Sequence, residues 1–182
     1  MTVIAGVAHE GTVYMAADTA SSSEQVEVDL VAPKIFTIGE MLVGVSGTTR
    51  ALDLIRLSPE IIGMEKRALV GPHDKAHHIN ELIIKTLTEA GCVEEEGPRY
   101  EALAGIEGRL FQLSLSGVIE SVHGHDAVGC AQEPAIGSLI TTGWSREAPC
   151  ARVAIAVRVA IELNPRAGGR VFSAQLPEAV EP

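Results

Sequence analysis

The chain has 182 residues, 46% of them hydrophobic but only 3% aromatic, so a substantial core is affordable and has to be built from Ala, Val, Ile and Leu. A formal net charge of -10 argues against binding nucleic acid or an anionic membrane through bulk charge. No apolar run is long enough to span a bilayer and no charged leader opens the chain, so a cytoplasmic protein is expected. In chain order, an apolar run starts at Val3 and a second spans Val13 to Ala17, parted by His9-Glu10-Gly11, where Gly11 suits the positive φ of a tight hairpin. That hairpin sets residue 2 beside Asp18. Thr2, freed of Met1, carries a hydroxyl nucleophile and an α-amine on one residue, and an amine with a reference pKa of about 7.7 to 8.0 is a usable base at neutral pH.

Thr19 to Ser23 is small and polar and reads as a loop over a cleft. Gln25 to Leu30 alternates apolar and polar residues with period two, as a half-buried strand does. Lys34 opens the apolar run Ile35 to Ile38, and Met41 to Ser46 reads as another strand. Gly47-Thr48-Thr49 then starts a helix through Ile55, with Thr48 as N-cap, and the Gly47 N–H at that turn is placed to donate to an oxyanion. Residues 58 to 74 read as irregular, broken by Pro59, Gly63, Gly71 and Pro72.

Lys75 to Ala90 reads as an amphipathic helix with Ala76, Ile79, Leu82, Ile83, Thr86 and Leu87 on its apolar face, stopped by Gly91. Glu94-Glu95-Glu96 reads as solvated loop rather than a metal site. Tyr100 to Ile106, Leu110 to Leu115 and Val118 to Val122 are three strands parted by Glu107-Gly108 and Ser116-Gly117, forming a second sheet. Glu147 to Leu163 reads as an apolar helix facing inward through Val153, Ala154, Val157, Ala160 and Ile161; Arg170 to Leu176 is a closing strand. One domain over residues 1–176 with an acidic tail over 177–182 is expected.

The stretches Thr2-Val3-Ile4-Ala5-Gly6-Val7, Ala16-Ala17-Asp18, Pro33 to Ile38 and Gly44-Val45-Ser46-Gly47 together resemble the N-terminal half of a proteasome β-subunit or HslV-type peptidase. These belong to the N-terminal-nucleophile hydrolase superfamily. The resemblance implies an α+β fold, a four-layer αββα sandwich, and a threonine peptidase without cofactor. Thr2 would be the nucleophile, with the Lys34 cation against its hydroxyl and Asp18 holding that cation. It further implies a homo-oligomeric ring, a polypeptide substrate and an ATPase unfoldase as partner. Taken alone, Asp18 reads as a turn residue and Lys34 as a strand-end lysine; the spacing with Thr2 favours the trio.

Asp126 to Ala131 resembles the family's Gly-Ser-Gly segment, with Cys130 in place of the serine and Ala131 in place of the second glycine. Asn164 and Ala167 stand where the proteasome branch has an aspartate and a serine, so Cys130 and Asn164 are supporting residues of altered kind. HslV-type relatives lack the same aspartate and serine pair. A non-catalytic assembly subunit that keeps Met1 is the alternative for the same fold.

Three cysteines, Cys92, Cys130 and Cys150, form no CxxC pair, which argues for a reducing compartment. Cys130 as a nucleophile would need a histidine partner such as His125, and a buried structural thiol is the favoured reading. His73, His77 and His78, and His123 with His125, have metal-compatible spacing but lack a matching carboxylate or thiol pattern, so no metal is expected. Trp144 reads as a packing residue at a helix end.

Overall fold

The computed structural model describes residues 2–22, 27–30, 32–63, 71–92 and 100–177. The first sheet is built around the expected N-terminal hairpin, β1 (Ile4–His9) and β2 (Thr12–Asp18), whose register runs from Ile4 opposite Ala17 to His9 opposite Thr12. Glu10 and Gly11 form its two-residue turn with φ of 48° and 76°, the left-handed pair that matches the twist of the flanking strands. Residues 20–22, read as loop, instead form β3 (Ala20–Ser22), paired antiparallel with β4 (Glu27–Asp29) as a separate two-stranded ribbon. The part of the Gln25–Leu30 expectation on residues 25 and 26 lies outside the described residues.

β5 (Ile35–Ile38) and β6 (Met41–Ser46) follow as expected, and α1 (Thr49–Leu57) is capped by Thr48, whose Oγ1 accepts the Ala51 N–H at 3.2 Å. Two of the supposed helix breakers begin helices. Pro59 opens α2 (Pro59–Ile62) behind the Ser58 cap, and Pro72 opens α3 (Pro72–Glu89). Proline is tolerated at a first helical position because that N–H has no partner within the helix and the ring presets φ. On α3 the buried face is Ala76, Ile79, Asn80, Ile83 and Leu87, with Leu82 and Thr86 half-buried. The buried Asn80 amide donates to Ser114 O at 3.0 Å and accepts from the Tyr100 hydroxyl, and burial pushes the Tyr100 phenol up. Residues 94–96 lie outside the described residues.

The three strands β7 (Glu101–Ile106), β8 (Arg109–Ser114) and β9 (Gly117–Glu120) extend the sheet of β5 and β6 in the order β5-β6-β7-β8-β9. β10 (His125–Val128) returns to the first sheet beside β1, then α4 (Gln132–Gly143), α5 (Pro149–Leu163) and β11 (Val171–Leu176) complete it in the order β10-β1-β2-β11.

Three apolar clusters make this a four-layer αββα sandwich. Ile4, Val13, Met15 and Ala17 of the first sheet meet Ile35, Leu42, Leu103 and Leu110 of the second between the two sheets. The outer face of the second sheet packs on α1 to α3 through Val43, Ala104 and Phe111 against Ile55, Ile79 and Ile83. The outer face of the first packs on α4 and α5 through Val3, Ala5 and Ala16 against Leu139, Val153 and Val157. On α5, Ala156 is buried while Ala154 and Ile161 are half-buried, a small rotation from the expected face.

The sheets approach closely at Gly105, where an added Cβ would lie 2.6 Å from Val13 Cγ1. Gly105→Ala is therefore expected to cost about 1–3 kcal/mol by overpacking, read as a lower urea midpoint at unchanged slope. An unchanged midpoint would mean that the two sheets separate freely here.

Candidate active site

The hairpin and β5 bring Thr2, Asp18 and Lys34 together at one end of the sandwich. All three are buried, at 3%, 1% and 4% exposure. The Lys34 ammonium donates to Asp18 Oδ1 at 2.8 Å and to the Ala20 carbonyl at 2.6 Å. Asp18 Oδ1 also accepts the Val3 N–H at 3.0 Å, and Oδ2 accepts the Gly168 N–H at 3.2 Å. One carboxylate thus ties the residue after Thr2, the lysine and the loop after α5 into a single cluster. A carboxylate taking three charge-assisted bonds is held in one orientation, and so is everything bonded to it.

Burial pulls the Lys34 ammonium below the ordinary lysine value of 10.5, and the Asp18 charge and hydrogen bond partly restore it, with a smaller contribution from Cys130. Lys34 is therefore expected to titrate below ordinary lysines in a lysine-labelled NMR titration, and lower still in Asp18→Asn. A Lys34 that titrates with the surface lysines would contradict this account of the cluster.

A small pocket of about 20 Å³ opens beside the cluster, lined by Thr2, Lys34, Val45, Gly47, Thr48 and Leu52 among others. Gly47 joins β6 to the Thr48 cap of α1 and is exposed, and its N–H takes no partner among the described residues. Gly47 thus lies on the same pocket as Thr2, at a turn into a helix N-terminus, where a backbone donor faces developing negative charge favourably.

On the other side of Thr2, the turn after β10 closes against its carbonyl. Gly129 has φ of +101°, and a Cβ there would stand 2.2 Å from Thr2 O, so only glycine fits. The Cys130 thiol donates toward Thr2 O at 3.5 Å and toward Arg166 O at 3.7 Å. Cys130 is exposed, which corrects the buried thiol expected from sequence: the residue sits on the turn into α4, clear of the helix's inward face. Asn164 does reach this turn, donating from Nδ2 to Cys130 O at 2.9 Å while its Oδ1 accepts the Arg166 N–H at 2.9 Å. Ala167 packs with the core between the first sheet and α5.

The histidines lie away from this cluster's bonds. His73 Nε2 is 2.8 Å from Glu120 Oε2 and its ring meets the edge of Phe111; His125 Nδ1 is 3.1 Å from His123 O. Among the described residues no group of His, Cys, Asp or Glu side chains has a metal-holding arrangement. Trp144, expected to pack, is 83% exposed at the end of α4. Sequence reasoning did not find the Ala20 carbonyl or the Gly168 N–H, because backbone groups carry no residue-type mark.

Searches against protein-family models and curated proteins give no match. Solved structures do. Thiobacillus denitrificans BPH is 17% identical with a TM-score of 0.81, over 98% of this chain and 100% of that one, and it is also known in complex with epoxomicin. HslV from Trypanosoma brucei is 15% identical with a TM-score of 0.77, over 97% and 99%. Anbu, an ancestral β-subunit from Yersinia bercovieri, is 14% identical with a TM-score of 0.73, over 96% and 81%. The fold is the one shared by HslV, BPH and Anbu. No helix among the described residues is long and apolar enough to cross a membrane.

Proposed function

We propose that the chain is a threonine peptidase that uses Thr2 as its N-terminal nucleophile after removal of Met1. The observation that carries the reading is the buried cluster in which Asp18 binds the Lys34 ammonium at 2.8 Å and the Val3 N–H at 3.0 Å beside the pocket that Thr2 lines. In this reading Thr2 Oγ attacks a substrate carbonyl carbon and its proton passes to the free α-amine. The Gly47 N–H stabilises the tetrahedral oxyanion. Collapse breaks the C–N bond as the ammonium returns the proton to the leaving amine, giving an ester on Thr2. Water, deprotonated by the same amine, then hydrolyses that ester and restores Thr2.

Lys34 supplies a fixed positive charge that favours alkoxide character on Thr2. Burial opposes that charge and Asp18 sustains it, so the pair acts as one electrostatic unit. We place the active form in a ring of copies of this chain acting on unfolded polypeptide, fed by an ATPase unfoldase. Exposed apolar side chains such as Leu57, Val122 and Trp144 supply surface for contacts between copies.

The alternative, a non-catalytic assembly subunit, is favoured by the commitment of Asn164 to Cys130 O and the Arg166 N–H, which leaves its side chain to brace a turn. Intact mass before and after an electrophile that needs both the hydroxyl and the amine of an N-terminal threonine separates the two. Epoxomicin serves as a second probe. Loss of Met1 with one adduct supports the peptidase; a retained Met1 in protein from its native host, without adduct, supports the assembly subunit.

A further inference from the structure

Glu101 reaches the nucleophile's surroundings from the opposite sheet. It is the first residue of β7, in register with Ser46 at the end of β6. Its Oε2 accepts the Gly129 N–H at 2.9 Å, a bond that links the second sheet to the turn after β10 in the first. Gly129 is the residue whose Cα faces Thr2 O so closely that a Cβ would stand 2.2 Å away, and the same Cβ would meet Ser46 Oγ at 3.1 Å. The turn beyond it continues through Gln132 N, which donates to Gly129 O at 3.1 Å to start α4. Thr2 is therefore gripped on two sides. Asp18 holds the Val3 N–H that follows it, and Gly129 buttresses its carbonyl.

The second grip is anchored to the opposite sheet by the Glu101 carboxylate, while Asn164 braces the next residue through Cys130 O. Gly129, in a left-handed conformation, has no side chain with which to fix its height against Thr2. A carboxylate bonded to a backbone N–H is a strong, oriented contact that sets that height. Accordingly, we infer that Glu101 is a positioning residue for Thr2, acting through Gly129 to fix the peptide plane of residue 2 and so the direction of its hydroxyl and amine. The inference rests on the reading of Thr2 as nucleophile. It gives a carboxylate on β7 a role in a site that also draws on the hairpin, the residue before β5, the turn into α1 and the loop after α5.

The test compares wild type, Thr2→Ala, Glu101→Ala and Glu101→Gln, on peptide hydrolysis and on amide hydrogen exchange over residues 128–131. Loss of the anchor displaces a reacting group by a fraction of an ångström, so Glu101→Ala is expected to lower kcat by about tenfold to a hundredfold with KM within about twofold. Glu101→Gln keeps an acceptor for the Gly129 N–H and is expected to recover most of kcat. Exchange at Gly129 is expected to quicken by about tenfold or more in Glu101→Ala and to stay near wild type in Glu101→Gln. If Glu101→Ala is too unstable for kinetics, Glu101→Asp, whose shorter side chain draws the acceptor back from the Gly129 N–H, takes its place in both readouts, and wild-type kcat and exchange there would overturn the role.

Wild-type kcat in a folded Glu101→Ala, or Glu101→Gln as impaired as Glu101→Ala, would overturn the positioning role while leaving Thr2 as nucleophile. A wild-type protein no more active than Thr2→Ala would overturn the peptidase reading itself.

Discussion

Thr2→Ala is expected to abolish peptide hydrolysis and adduct formation while the protein folds and unfolds much as its parent. The substitution removes a hydroxyl and a methyl from a residue that is 3% exposed, a loss of about 1–2 kcal/mol by the usual cost of deleting a small buried group. Nothing else in the cluster needs the hydroxyl, because Asp18, Lys34, Ala20 and Gly168 bond through other atoms. Turnover should fall by about 10³-fold or more, since removal of a covalent nucleophile leaves only binding and oxyanion stabilisation. Thr2→Ser keeps a hydroxyl and an amine and should retain labelling. Hydrolysis of a fluorogenic peptide, intact mass after electrophile treatment and thermal unfolding check the set. Hydrolysis that survives in Thr2→Ala would move the chemistry elsewhere, with Cys130 the first residue to replace.

Much of the frame can be read from local sequence because its causes are local. The hairpin of β1 and β2 follows from two apolar runs around Glu10 and Gly11, and the start of α1 follows from a hydroxyl at Thr48. The helix starts at Pro59 and Pro72 are not legible locally because proline ends a helix in its interior and begins one at its first position; only the cap and the packing of the following residues decide which. The strand at residues 20–22 carries no local mark because Ala20-Ser21-Ser22 has turn composition and is held by backbone pairing to β4. In the candidate site, Thr2, Asp18 and Lys34 were marked by residue type and spacing. Gly168, Gly129 and Glu101 were not, because their contacts join segments far apart in the chain and turn on a backbone N–H or a glycine's missing side chain. The exposure of Cys130 and Trp144 is likewise a property of which elements flank them, which no local pattern encodes.

Asp18→Ala should be the most damaging single change to the fold at this end of the molecule, and it should be inactive as well. It strips the acceptor from the Val3 and Gly168 N–H groups and leaves the Lys34 ammonium, 4% exposed, without its counter-charge. Breaking a buried ion pair by deleting one partner costs about 3–5 kcal/mol, because an uncompensated charge stays buried. The pH dependence follows from the same imbalance. Burial lowers the folded-state pKa of Lys34 below its ordinary value of 10.5, and loss of Asp18 lowers it further, so between the two values the unfolded chain holds more protons than the folded one. Stability of the variant should therefore rise with pH through that window, its deficit against wild type being larger at neutral than at alkaline pH. Lys34→Met in the Asp18→Ala background removes the stranded charge and should recover part of the lost stability with no recovery of hydrolysis. Urea unfolding of the two single variants, the double variant and wild type, each at neutral and alkaline pH, supplies the cycle. Additive losses in that cycle would mean that Asp18 and Lys34 are not coupled. A double variant that regains stability but stays inactive would separate what the pair does for the fold from what its charge does for Thr2.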